Sequence, residues 1–157
     1  MAGTYSQVLI QVVFSVKFRE RLLRKDFREH VFKYMAGIIN EKGQKTIIVN
    51  GVEDHVHCLI GIKPSMAISD LVRDIKNNSS KFINDNGWVK GKFHWQEGYG
   101  VFSYSYSELE RVYRYIENQE AHHAKKTFQK EYLDFLEQFY VDYKPEYVFD
   151  LIAGQKE

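Results

Sequence analysis

Residues 8–16 alternate in character along the chain. Val8, Ile10, Val12, Phe14 and Val16 fall on one side, and Leu9, Gln11, Val13 and Ser15 on the other. A period of two rich in β-branched residues predicts a first strand. After a loop rich in Arg and Lys, Phe27, Val31, Met35, Ile38 and Ile39 recur at helical spacing. Asp26 is placed to cap that helix and Gly43 to end it. Thr46 to Val49 predicts a second strand, and Asn50-Gly51 reads as a hairpin turn, with Val52 and Glu53 as an alternative continuation of the strand. Val56 to Ile62 predicts a third strand. Ile68, Leu71, Val72, Ile75, Phe82 and Ile83 repeat at the spacing of a second helix. Phe93 to Tyr104 reads as an aromatic-rich strand. Ser107 and Glu110 have the spacing of a capping box ahead of a long helical region, and Thr127 is placed to cap a final helix.

The order is therefore β-α-β-β-α-β-α. Its first six elements fit an α+β, ferredoxin-like fold (split βαβ, RRM-like). That topology gives an antiparallel sheet with the first and third strands in the middle, helices on one face, and here an added C-terminal helix. The open face of the sheet is then free to carry a site. One domain is expected over residues 1–157, with a core spanning about 5–140 and a tail over about 141–157.

Composition narrows the classes. Hydrophobic residues make up 44% of the 157 and aromatics 15%, enough for a core. The net charge is only +1, so any contact with nucleic acid must come from local groups such as Arg19, Arg21, Arg24 and Lys25, or Lys90 and Lys92. Cys58 is the one cysteine, which excludes an intramolecular disulfide and suits a reducing, cytoplasmic setting. Met1 to Gln7 has no basic segment leading into an apolar run, and no stretch approaches membrane-spanning length, so neither a signal peptide nor a membrane anchor is expected. No P-loop pattern occurs, so no nucleotide cofactor is expected.

Two short patterns carry chemistry. His55 and His57 lie two apart at the start of the third strand, so their side chains share a face, while Val56, Cys58, Ile60 and Ile62 supply the apolar face. Two imidazoles on one pleated face can share a divalent cation, with Asp54 beside them to orient a ring or to reach the metal through water. An H-x-H on a strand also occurs where no metal binds. Along the helix after Ser107, Leu109, Val112, Tyr113 and Ile116 form an apolar stripe, and Arg111, Tyr115, Gln119 and His122 or His123 follow a different one. Tyr115 and Gln119, four apart, face the same way. Tyr115 is one of 11 tyrosines, most of which serve packing. On this stripe it is placed to act as a nucleophile, with the Gln119 amide oxygen available as a neutral ligand.

Taken together, Val-Glu-Asp-His-Val-His-Cys-Leu-Ile (52 to 60), Lys-Asn-Asn-Ser-Ser-Lys (76 to 81), Trp-Gln-Glu-Gly-Tyr-Gly-Val-Phe-Ser (95 to 103) and Tyr-Ile-Glu-Asn-Gln-Glu-Ala-His-His (115 to 123) resemble the single-tyrosine HUH transposases of the insertion-sequence 200/605 type, including their REP-associated relatives. The resemblance implies His55, His57 and Gln119 as ligands of one divalent ion and Tyr115 as the nucleophile. Relatives often carry a histidine where this first strand has Gln11, a departure that leaves those positions intact. The implied activity is cleavage and rejoining of single-stranded DNA at insertion-sequence ends through a 5′-phosphotyrosine. The implied substrate folds into hairpins, and the implied partner is a second copy, a homodimer in which the tyrosine helix serves its own or its partner's histidines. Imidazole and amide ligands suit Mn2+; Mg2+ would complete its shell with water.

Two other readings stay open. Gly98 to Tyr104 looks like the RNP1 pattern of RNA-recognition domains, which share this element order, with Tyr99 and Phe102 as base-stacking rings. That would make the chain a non-catalytic module binding single-stranded DNA or RNA hairpins. RNP1 belongs on the third strand, however, and Glu97 stands where its leading basic residue should be. A domesticated REP-associated relative that binds hairpins without mobilising DNA is the other.

Overall fold

The computed structural model describes residues 3–144. The expected tail beyond 144, with Pro145, lies outside the described residues. Among these, four antiparallel strands form one sheet in the order β2-β3-β1-β4. They are β1 (Leu9–Ser15), β2 (Lys45–Gly51), β3 (His55–Gly61) and β4 (Gly100–Tyr104). The first and third strands occupy the centre, as the ferredoxin-like pattern requires. No described helix is long and apolar enough to cross a membrane.

The register fixes which residues share a face. Ser15 pairs with His55, Val13 with His57 and Gln11 with Leu59. Ile10, Val12, Phe14, Val56, Cys58 and Ile60 therefore lie on the opposite face. There they join Val31, Met35, Ile38 and Ile39 of α1 (Arg28–Glu41) and Leu71, Ile75 and Ile83 of α2 (Ile68–Asn86) in the main core. Gly43, at φ 81°, lets the chain turn from α1 into β2, a conformation that glycine adopts without strain.

The other face is covered too. Among the described residues, three α-helices follow β4: α3 (Leu109–Glu117), α4 (Gln119–His123) and α5 (Phe128–Gln138). Val112 and Ile116 of α3 pack on Leu59 of β3. Phe128, Tyr132, Phe135 and Leu136 of α5 pack on Val13 of β1 and Phe102 of β4. Every residue of β1 is consequently buried, the Gln11 and Ser15 side included.

Several local expectations are corrected. Asn50 and Gly51 belong to β2 rather than to a turn; the chain reverses over residues 52–54, where Val52 N donates to His55 O at 3.1 Å. Gly51 is needed for proximity: a Cβ there would sit 2.2 Å from the carbonyl oxygen of His55. Asp26 does not cap α1, whose N-cap is Phe27; it accepts from Arg24 Nε at 3.2 Å instead. Nor do Ser107 and Glu110 form a capping box. Ser107 bonds Ser105 Oγ at 2.8 Å and Glu110 pairs with Arg114 at 2.7 Å. Thr127 does cap α5, its hydroxyl accepting from Lys130 N at 3.2 Å. The aromatic segment pairs as a strand only over Gly100–Tyr104, preceded by one bridge between Val16 and Trp95.

Candidate metal and nucleophile site

The predicted histidines lie side by side, fully buried, on the sheet face beneath α4 and α5. Each is held by its Nδ1. His55 Nδ1 lies 2.7 Å from Asp54 Oδ1, and His57 Nδ1 lies 2.6 Å from Gln11 Oε1. Gln11 Nε2 in turn donates to the Tyr104 hydroxyl at 2.7 Å, which identifies its Oε1 as the acceptor and His57 Nδ1 as the donor. Both rings thereby turn Nε2 inward. A carboxylate or amide behind a ligating imidazole is the arrangement that fixes tautomer and ring orientation at metal sites. Gln11 is thus a partner that orients His57.

Gln119 reaches the same point from above. Its Oε1 lies 3.2 Å from His55 Nε2. The predicted continuous helix is broken, however. α3 ends at Glu117, and Asn118 (φ −98°, ψ 26°) separates it from α4. Asn50 Nδ2 closes the end of α3, donating to the carbonyls of Ile116 at 2.9 Å and Glu117 at 3.1 Å. Gln119 therefore opens a second short helix, which also carries His122 and His123.

Tyr115 is not on a polar face. Its ring packs with the apolar residues under both α3 and α5, 6.0 Å from the His57 ring. Tyr113, expected on the packed stripe, is the exposed one at 37%. The buried line of α3 runs through Val112 and Ile116, and Tyr115 lies on its inner flank while Tyr113 turns outward. The Tyr115 hydroxyl donates to Glu131 Oε2 and lies 3.3 Å from His122 Nε2.

Glu131 is the residue that sequence reasoning missed. Only 1% exposed, its carboxylate sits in the middle of the cluster. Oε1 lies 3.3 Å from His55 Nε2, 3.2 Å from His57 Nε2 and 3.0 Å from His123 Nε2. The clue was a carboxylate at the second position of a stripe otherwise made of Phe128, Tyr132, Phe135 and Leu136. A charge on the buried line of a helix needs a partner.

The cluster shifts its own titrations. Burial opposes the charge on His55, but the hydrogen bonds and charges of Asp54 and Glu131 prevail and hold it at about 9. Burial dominates at His57 and pushes it down despite Glu131. Burial, with the charges of His55 and His57, drives His123 to about 3. Glu131 would be raised by burial, yet the charges and hydrogen bonds of His57 and His55 bring it to about 2. Asp54, likewise opposed by burial, is held below the ordinary carboxylate range by His55, then Arg19 and His123.

The residues present fit a divalent cation. His55, His57, His123 and Glu131 place ligand atoms all within 4.8 Å of one another. Adjacent donors about 3 Å apart match an ion with bonds of about 2.1 Å. Ser15, across the sheet from His55, also carries a buried hydroxyl with no hydrogen-bond partner.

The predicted basic residues separate. Arg19 and Arg21 line a cavity of about 400 Å³ together with Arg28, Asp54, His123 and Lys126. Arg24 pairs with Asp26 and Lys25 with Glu120. Lys90 and Lys92 lie on the exposed stretch after α2 and do not line that cavity. A second cavity, of about 120 Å³, is lined by Tyr115 and Glu131 with Arg111 and Lys126. Phe102 lies buried under α5, its ring stacked on Phe135 at 5.0 Å, and so offers no open face to a base.

Comparison with known proteins gives the class. The family described as "Transposase IS200 like" matches residues 4–119. The ISDra2 transposase TnpA of Deinococcus radiodurans is 24% identical over 124 residues, spanning 74% of this chain and 87% of the relative. The fold is also that of a crystallised transposase-type chain of Deinococcus radiodurans R1, with a TM-score of 0.60 and 22% identity over 76% of this chain and 95% of that one. A REP-associated tyrosine transposase, solved bound to a REP hairpin, superposes with a TM-score of 0.57 and 16% identity over 100% of this chain and 97% of that one. The chain belongs to the IS200-like transposase family, a family of enzymes that cleave DNA.

Proposed function

We propose that this transposase cleaves and rejoins single-stranded DNA at insertion-sequence ends through a 5′-phosphotyrosine on Tyr115. A divalent cation, Mn2+ or Mg2+, would be held by His55, His57 and Gln119. The carrying observation is the convergence of the Tyr115 hydroxyl and both histidine Nε2 atoms on one buried carboxylate, Glu131. A bound cation would draw charge from a non-bridging phosphate oxygen and orient the phosphate.

The chain's own residues supply the rest. Asp54 and Gln11 hold the imidazoles so that both Nε2 atoms face Glu131, where the cation would be held. Arg111 and Lys126 line the cavity at Tyr115 and favour an anionic backbone there. The Tyr115 oxygen attacks phosphorus in line, one P–O bond forms, and the bond to the DNA 3′-oxygen breaks. The phenol ordinarily titrates near a pKa of about 10, so its proton must leave during attack, and Glu131 Oε2 already accepts that hydrogen. The 3′-oxygen takes a proton from solvent as it departs. Because one phosphodiester is exchanged for another, a second 3′-hydroxyl can reverse the step and join new ends without ATP.

The substrate proposed is single-stranded DNA folded into hairpins, a reading supported by the hairpin on the structurally similar REP-associated transposase. The chain is proposed to act as a homodimer. Tyr115 lies over the histidines of its own chain, which supports an arrangement in which each tyrosine serves its own site. The test is incubation with Mn2+ and single-stranded DNA carrying candidate element ends, followed by a denaturing gel. A slow-migrating covalent species, absent with EDTA and with the same sequence as duplex, is expected. No adduct with any single strand would reject the reading.

A further inference from the structure

We infer that Glu131 is itself a ligand of the divalent cation, so that α5 completes the metal centre and links it to the nucleophile. This rests on the metal reading above but assigns a residue beyond the matched family segment, which ends at Gln119.

Three features carry the assignment. The first is a pair of acceptors facing each other. His57 gives its one hydrogen, on Nδ1, to Gln11, which leaves Nε2 as a bare lone pair. That lone pair points at Glu131 Oε1 from 3.2 Å. A nitrogen lone pair and a carboxylate oxygen at that distance share a positive charge, a proton or a metal ion, and His55 Nε2 lies 3.3 Å from the same oxygen, the spacing of adjacent ligands on one ion.

The second is charge. His55, His57 and Gln119 are neutral donors when they ligate, so a divalent ion held by them alone would keep its whole charge in a buried site. A carboxylate removes part of it and is the hard oxygen donor that Mg2+ and Mn2+ favour. Glu131 is the carboxylate in the cluster that is buried to 1% exposure.

The third is the pattern of its own contacts. A ligating carboxylate is normally hydrogen-bonded from behind. His123 Nε2, the other member of the cluster, sits 3.0 Å from the metal-facing Oε1 and so is not that support. Gln119 Nε2 donates to Oε2 at 3.2 Å, which turns Gln119 Oε1 toward His55 Nε2. The same Oε2 receives the Tyr115 hydroxyl. One carboxylate thus faces both imidazole Nε2 atoms with one oxygen, and sets both the amide and the Tyr115 hydroxyl with the other.

The experiment is calorimetric titration of the metal-free protein with Mn2+, Mg2+ and Zn2+, with apo melting curves as a check on folding. Glu131→Gln keeps the volume and removes the charge. It should weaken Mn2+ and Mg2+ binding by more than the roughly 10- to 100-fold that loss of a supporting partner costs, and weaken Zn2+, which imidazoles hold well, by less. Should Glu131→Gln not fold, Glu131→Asp decides, because it keeps the charge but withdraws the oxygen by one methylene and should also bind Mn2+ more weakly. Wild-type affinity for Mn2+ in the folded variant would overturn the assignment. So would an equal loss for all three ions, which would make Glu131 a positioning residue only. The double variant His55→Ala/His57→Ala separates the two levels. If it loses Mn2+ while Glu131→Gln does not, the histidine site stands and the Glu131 ligand falls. If wild-type protein takes up no Mn2+ at all, both fall.

Discussion

Asn50 Nδ2 donates to the carbonyl oxygen of Ile116 at 2.9 Å. The strand residue paired with His57 therefore also closes the helix that carries Tyr115. The strand beside His55 and His57 and the helix that carries Tyr115 are fastened together by one side chain, which reaches Glu117 O as well. Asn50→Ala should cost about 1–2 kcal/mol, the net worth of such hydrogen bonds. In a chain of this size that lowers the melting temperature by roughly 2–8 °C. Single-turnover cleavage should slow at temperatures where the variant is fully folded, because Tyr115 loses its anchor. Calorimetry and a stopped cleavage assay measure the two effects; a variant normal in both would mean that α3 is positioned by packing alone.

Gly51 should tolerate no side chain. A Cβ would lie 2.2 Å from His55 O and 2.9 Å from Val56 Cα, both backbone atoms that cannot swing away. Gly51→Ala should destabilise the fold by roughly 2–4 kcal/mol, beyond the usual cost of overpacking. Its Mn2+ affinity should fall too, since the displaced residue, His55, is a proposed ligand. Denaturant melts and calorimetry check this, and a near-neutral effect would contradict the packing around the β2–β3 turn.

Much of this could be read in the sequence because it depends on periodicity. Strand alternation placed His55 and His57 on one face and Cys58 and Ile60 on the other, as the sheet has them. Helical spacing put Tyr115 and Gln119 together, although Asn118 breaks the helix between them. What periodicity could not give was the second cover of the sheet. The inner line of α5 contains an acid, and nothing local says that Glu131 will meet His55 and His57, more than 70 residues earlier, as the His57 bond does (|i−j| = 74). The exchange of roles between Tyr113 and Tyr115 has the same origin: α5 buries the flank that looked polar.

Arg19 and Arg21 line the cavity beside His123 and Asp54, so they should meet backbone phosphates next to the cleavage point. Replacing both with alanine should weaken hairpin binding and reduce the slope of log affinity against log salt by roughly 1–2. Lys90→Ala/Lys92→Ala, on the exposed stretch away from that cavity, should change it less. Fluorescence anisotropy over a salt series checks the pair, and equal effects would move the DNA path elsewhere.

The proposed dimer has its own readout. β4 lies at the edge of the sheet, and an edge strand can pair with a second copy. Light scattering at micromolar concentration should give twice 18.6 kDa. A monomer there would argue that each chain works alone.

The central claim is that Tyr115 carries the DNA. Tyr115→Phe removes one oxygen from a ring packed between α3 and α5, so fold and hairpin binding should remain. Tyr113→Phe, on the exposed side, should cleave as the wild type does. The most direct measurement is mass spectrometry of the peptide left after the covalent adduct is trapped with Mn2+ and digested. The phosphate should map to Tyr115, and Tyr115→Phe should yield no adduct. An adduct on another tyrosine, or one still formed by Tyr115→Phe, would contradict the account.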